Sequence, residues 1–130
     1  MSSNHLAEDV IELLMQLIEI PSFSGEECQT ADCIQDWLHS KGVETQRIQN
    51  NVFALNKHYD PSKPNLLLNS HHDTVRPNMA YTRDPHKAEI IDGKLFGLGS
   101  NDAGGALVSL LGLFVHFYAA ENLTDNLIVA

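Results

Sequence analysis

Two short clusters carry the residue types that do chemistry: Ser70-His71-His72-Asp73-Thr74-Val75 and Gly97-Leu98-Gly99-Ser100-Asn101-Asp102. Along extended backbone, residues two apart project to one side, about 6.6 Å from each other, which pairs His71 with Asp73 and turns His72 away. An imidazole nitrogen is a good ligand for a borderline metal ion, and a carboxylate on its other nitrogen commonly fixes the tautomer. Asp73 is placed to do this for His71, or to orient a catalytic base. Asp102 lies in a glycine-rich turn before an apolar run, where an uncrowded carboxylate could bridge two divalent ions about 3.5–4 Å apart. Each cluster also has a structural alternative. A His-x-Asp triplet can simply be solvated, and Asp102 can cap the helix that follows it. The turn is not a phosphate loop, because it lacks both the Gly-Lys-Ser/Thr ending and the Gly-x-Gly-x-x-Gly spacing.

The elements around the clusters explain how they could meet. Leu6, Val10, Leu13, Leu14, Leu17 and Ile18 recur at helical spacing, predicting an amphipathic helix over residues 6–19 that Ile20-Pro21 ends. Ser24-Gly25-Glu26-Glu27 has the spacing of a capping box, predicting a second helix over 25–41 with Gly42 as its C-terminal cap. Ala31, Ile34, Trp37 and Leu38 form its core stripe. From Val43 the period becomes two, and Asn50-Asn51 turns the chain into Val52-Phe53-Ala54-Leu55, which reads as a hairpin. The leucine run of 65–69 suits a strand buried on both faces and ends where the first cluster begins. Residues 76–86, with Pro77 and Pro85, form a loop near the presumed site, in which His86 could touch a substrate. Asp92-Gly93, between Glu89-Ile90-Ile91 and Lys94-Leu95-Phe96, is a strong hairpin signal, and that hairpin delivers the second cluster. An apolar helix takes over at about Ala103, and Leu127-Ile128-Val129-Ala130 opens another buried strand. Strands of an α/β sheet present their ends to a common crevice, so the two clusters can share one site.

Composition narrows the partners. Seventeen acidic and eight basic residues give a formal net charge of −9, which repels a phosphate backbone and leaves no footprint for nucleic acid or an anionic membrane. A small molecule or a peptide fits better. Cys28 and Cys33 are the only cysteines; five residues apart on a helix, they face different ways and read as idle thiols of a reducing cytoplasm. Residues 103–120 carry no formal charge, but Asp102 and Glu121 flank them, and Gly112 and His116 dilute their hydrophobicity. A helix buried against a sheet is expected there, and a cytoplasmic location for the protein.

Taken together, Ser-His-His-Asp-Thr-Val, the later Gly-Leu-Gly-Ser-Asn-Asp-Ala-Gly-Gly and the early Ile-Pro-Ser-Phe-Ser-Gly-Glu-Glu resemble the N-terminal signatures of the co-catalytic zinc aminoacylases and exopeptidases. That family includes acetylornithine deacetylase, succinyl-diaminopimelate desuccinylase and glutamate carboxypeptidase, and the overall resemblance is greatest to the first. The resemblance implies an α/β catalytic domain of three layers, a mixed sheet flanked by helices, of which residues 1–130 are the N-terminal part. It implies His71 as a ligand to one zinc, Asp102 as the carboxylate bridging two zincs, with cobalt a possible substitute, and Asp73 as the catalytic residue that orients His71. The family's general-base glutamate, its remaining ligands and its lid or dimerisation domain would fall outside these residues. The implied activity is removal of the acyl group from an N-acyl amino acid such as N-acetylornithine, in arginine biosynthesis, by a homodimer. A dipeptidase or carboxypeptidase of the same family and a non-catalytic binding domain are the alternatives. These residues by themselves are expected to bind zinc weakly and to hydrolyse nothing. One departure stands out: the family often has Asp-x-Lys-Gly at the bridging aspartate, and Gly104 occupies the lysine's place here.

Overall fold

A computed structural model describes residues 3–130. The chain runs α1 (Ser3–Glu19), α2 (Cys28–Ser40), β1 (Gln46–Ile48), β2 (Asn51–Leu55), β3 (Asn65–Leu68), β4 (Glu89–Ile91), β5 (Lys94–Phe96), α3 (Gly105–Phe117) and β6 (Asn126–Val129). Strands β1, β2, β6 and β3 form a mixed sheet in that order, and β4 pairs with β5 as a separate hairpin. β6 is antiparallel to β2 and parallel to β3, the parallel pair being linked by the crossover that contains the hairpin and α3. The fold is therefore α/β with a mixed sheet and helices, as the sequence implies.

The core lies where the helices meet one face of the sheet. Leu13, Leu14, Leu17 and Ile18 of α1 pack with Ile34 and Leu38 of α2, and with Leu107, Val108, Leu111 and Phe114 of α3. Ala54, Leu68, Leu127 and Val129 supply the sheet side. Phe114 is 0% exposed and Leu13 and Leu38 are 1% exposed; burying side chains of this size contributes about 1.5–3 kcal/mol each. At 13 residues α3 is about 20 Å long, well short of the roughly 30 Å hydrocarbon layer of a bilayer. Among the described residues no helix is long and apolar enough to cross a membrane.

Both expected hairpins form, the second with its turn at Asp92-Gly93 as the sequence signals and the first with its turn one residue earlier than Asn50-Asn51. β1 pairs Gln46 with Phe53 and Ile48 with Asn51 around a Gln49-Asn50 turn, and β4 and β5 close through Asp92 and Gly93, both at positive φ. α2 ends as expected, with the Gly42 amide donating to the His39 carbonyl at 2.9 Å and the Val43 amide to that of Leu38 at 3.0 Å.

Two expectations are corrected. The leucine run is not buried on both faces: β3 is an edge strand, Leu66 is 50% exposed and Leu67 56% exposed, and only Leu68 enters the core. A run of leucines reports hydrophobicity but not whether a neighbour covers it. The capping box does not form either. α2 starts at Cys28, and Glu27 at its N-cap makes no side-chain capping bond. Glu27 Oε1 accepts from the Gly25 amide at 2.6 Å, while the Ser24 hydroxyl is drawn away to the first cluster.

Candidate metal centre

The first cluster begins just past the C-terminal end of β3. The Ser70 amide donates to the Ala130 carbonyl at 3.2 Å, so the ends of the parallel strands β3 and β6 lie side by side at this edge. From there the segment runs under the linker between α1 and α2. The Thr74 amide donates to the Ser22 carbonyl at 2.8 Å, and Phe23 and Thr74 form a parallel bridge. His71 and Asp73 project into one cleft and His72 points the other way, as the alternation predicts.

Asp73 meets His71 directly. His71 Nδ1 is 3.0 Å from Asp73 Oδ1, and the Ser24 hydroxyl donates to Asp73 Oδ2 at 2.6 Å. The carboxylate thus has a partner on each oxygen. The Ser24 hydrogen bond, followed by that from His71, outweighs partial burial and holds the Asp73 carboxyl below its usual pKa.

The second cluster arrives from the β4–β5 hairpin through a wide, π-type turn over Ser100–Gly104. Two glycines let this turn close. Gly99 has a φ of 79°, and a Cβ there would lie 2.7 Å from Thr74 Cγ2 of the first cluster. At Gly104 a Cβ would lie 2.6 Å from the Gly99 carbonyl oxygen and 2.5 Å from Leu14 Cδ1. The lysine common in the family at this place has no room on this backbone.

The turn brings Asp102 Oδ1 to 3.3 Å from His71 Nε2. The alternative role of Asp102 as a helix cap is not what the geometry gives. α3 has Gly104 at its N-cap with no side-chain capping bond, and Asp102 sits at φ −121°, ψ 95° with its side chain 89% exposed. His71 therefore has a carboxylate on each nitrogen. Partial desolvation disfavours its charged form, but the hydrogen bonds and charge of Asp73, with the charge of Asp102, outweigh this and raise its pKa.

The donor set fits a divalent ion. With Nδ1–H donating to Asp73, Nε2 keeps its lone pair for a metal, and the exposed Asp102 carboxylate is a hard oxygen donor on the same side. Asp73 stands behind His71, so the site supplies two donors and one orienting carboxylate. Among the described residues no group of three or more His, Cys, Asp or Glu side chains converges to hold an ion. The cleft in front of these groups holds about 300 Å³, and Val75 and Tyr81 form part of its wall. His86 does not line it; its ring packs edge-on against Phe23 at 5.9 Å. Cys28 and Cys33 are unbridged thiols.

Sequence reasoning passed over Ser24 and Tyr81. Ser24 was spent on the capping box, although the same hydroxyl serves either partner. Tyr81 lies in an aperiodic loop and carried no signal beyond its proximity to the clusters.

The ends of the parallel strands and a strand-to-helix turn converge on a His-carboxylate pair, at the edge where α/β sheets place their ligand sites. Residues 67–129 match peptidase family M20/M25/M40. The chain is 34% identical over 125 residues to a succinyl-diaminopimelate desuccinylase of Corynebacterium glutamicum, covering 94% of this chain and 32% of that protein. It superposes with a TM-score of 0.74 on an M20 family metallo-carboxypeptidase from Sulfolobus solfataricus, at 22% identity, covering 92% of this chain and 29% of the other. The YXEP protein of Bacillus subtilis, described as a dinuclear metal binding peptidase from the M20 family, gives a TM-score of 0.68 at 17% identity, over 98% and 35% of the two chains. The match to peptidase family M20/M25/M40 lies in residues 67–129, and the chain spans about a third of the length of the relatives it matches.

Proposed function

We propose that the full-length protein is a metal-dependent amide hydrolase acting on small N-acyl amino acids, with His71 and Asp102 as metal ligands and Asp73 as the residue that orients His71. The observation carrying this reading is His71 held between two carboxylates, Asp73 at 3.0 Å on Nδ1 and Asp102 at 3.3 Å from Nε2. Zinc, or cobalt in its place, would polarise the amide carbonyl and make a water nucleophilic at neutral pH. The chain's own residues prepare for that chemistry. Asp73 accepts the Nδ1 proton and leaves Nε2 free to ligate, Ser24 keeps Asp73 in place, and the Ser100–Gly104 turn presents the Asp102 carboxylate to the same point. The remaining ligands and the general base are assigned to parts of the protein outside residues 1–130. Residues 1–130 are then the N-terminal part of a catalytic domain, with a lid or dimerisation domain elsewhere and a cytoplasmic homodimer as the working form.

N-acetylornithine, and hence arginine biosynthesis, is the first substrate proposed, from the overall resemblance of the sequence. N-succinyl-diaminopimelate is the second, favoured by the identity to the desuccinylase of Corynebacterium glutamicum. The test is hydrolysis by the zinc-loaded full-length protein of both compounds and a panel of dipeptides. Faster release of acetate or succinate than of amino acids from dipeptides is the expected result. Preference for dipeptides would move the protein to a dipeptidase. No hydrolysis of any amide would sink the enzyme reading in favour of a binding domain.

A further inference from the structure

His72 faces away from the cleft, and its ring has a partner on each nitrogen there. Nε2 is 2.9 Å from the Asn50 carbonyl oxygen in the β1–β2 turn. A carbonyl only accepts, so Nε2 carries the proton in this contact. Nδ1 is 2.7 Å from the Thr30 hydroxyl, and Thr30 of α2 is 1% exposed. The Thr30 hydroxyl donates to Nδ1 and has the Glu27 carbonyl, at 3.1 Å, as its alternative acceptor. The His72 carbonyl accepts from the Ser22 hydroxyl at 2.9 Å, and Ser22 is 3% exposed. Asn50 is itself held, its side-chain amide donating to Glu27 Oε2 at 3.1 Å.

One residue therefore ties the first cluster to the α1–α2 linker, to α2 and to the β1–β2 turn. It stands between His71 and Asp73 in sequence, so fixing its ring and its carbonyl fixes the two peptide groups from which those side chains project. We infer that His72 is a positioning residue of the metal site, a peg whose Nε2–H tautomer, opposite to that of His71, locks the His71–Asp73 segment against α2 and the first hairpin. This inference rests on the reading of His71 and Asp102 as metal ligands. Because groups behind a ligand typically change metal affinity about 10–100-fold when removed, the effect is measurable without any assay of turnover.

The experiment uses the full-length protein and zinc affinity by chelator competition, with the melting temperature of the metal-free form recorded alongside. His72→Ala and Thr30→Val should each weaken zinc about 10–100-fold. Their combination should be little weaker than His72→Ala alone, since both break one network. Thr30→Val keeps the buried volume and protects the test against a His72→Ala protein that does not fold. His72→Gln, whose amide can still donate to the Asn50 carbonyl, should recover part of the loss. Nitrogen NMR of the ring should report Nε2–H at His72. Wild-type zinc affinity in Thr30→Val and in folded His72→Ala would overturn the inference, as would an Nδ1–H tautomer at His72. If wild-type protein binds no zinc, or His71→Ala binds it unchanged, the metal reading fails first and takes this inference with it.

Discussion

The two clusters place their carboxylates by different means. In the first, side chains do the positioning: Asp73 is pinned through both oxygens by Ser24 and His71, and His72 is pinned through both ring nitrogens. In the second, the backbone does it. Asp102 is 89% exposed, its side chain meets His71, and it is where it is because Gly99 fits against Thr74 and Gly104 against the Gly99 carbonyl. The lesson is that a carboxylate can be positioned by a shell of hydrogen bonds or by a tightly folded turn that leaves the side chain itself free. Changes that add atoms should therefore damage the second cluster most, and changes that remove hydrogen bonds should damage the first.

The largest effect is expected from restoring the family's usual residue at the turn. Gly104→Lys places a Cβ 2.6 Å from a backbone oxygen and 2.5 Å from Leu14, and overpacking of this kind costs about 3 kcal/mol. Urea unfolding of the metal-free protein should register that loss, and an unchanged midpoint would mean that the turn is not held by packing. Asp73→Asn comes next, acting on the first cluster. It should weaken metal binding about 10–100-fold and lower stability modestly near neutral pH, where the charged carboxylate's contribution is fully present. It should also lower the pKa of His71 in the metal-free protein. Asp73 and Asp102 raise that pKa, so their contribution to stability is present below the unfolded value and disappears as pH rises through the folded one. An NMR titration of His71 in wild type and Asp73→Asn checks the direction; no downward movement would detach Asp73 from His71.

Ser24→Ala should have the smallest effect. Asp73 has a depressed folded pKa with Ser24 as the first cause, so its stabilisation is present above the unfolded carboxylate value and is lost as pH falls through the folded one. Without the Ser24 hydroxyl that loss should begin at higher pH, shifting the acid-unfolding midpoint slightly upward. A midpoint unmoved by the substitution would make the Ser24 contact incidental.

Much of this was legible because it is local. Asp92-Gly93 demands a two-residue turn, the stripe from Val10 to Ile18 demands a covered helix face, and strand alternation alone separates His71 from His72. What was not legible depends on partners far away in the chain. Ser24 and Glu27 satisfy the spacing rule for a cap, but a carboxylate forty-nine positions away in Asp73 competes for the Ser24 hydroxyl and wins. Leu66 and Leu67 read as buried because hydrophobicity is local, while the edge position of β3 is a property of the whole sheet. Asp102 was equally suited to a cap or a ligand until the Gly99–Gly104 packing set the turn. The roles of Thr30 and Asn50 were likewise invisible, since neither is close to His72 in sequence.

The central claim is that His71 Nε2 and the Asp102 carboxylate hold metal together. The most direct test is the zinc content, by elemental analysis, of purified full-length protein beside its His71→Ala and Asp102→Ala variants, each shown to be folded. The account predicts two zinc ions per wild-type chain, a clear loss in His71→Ala and the larger loss in Asp102→Ala, whose carboxylate would serve both ions. Equal zinc content in all three proteins would contradict it.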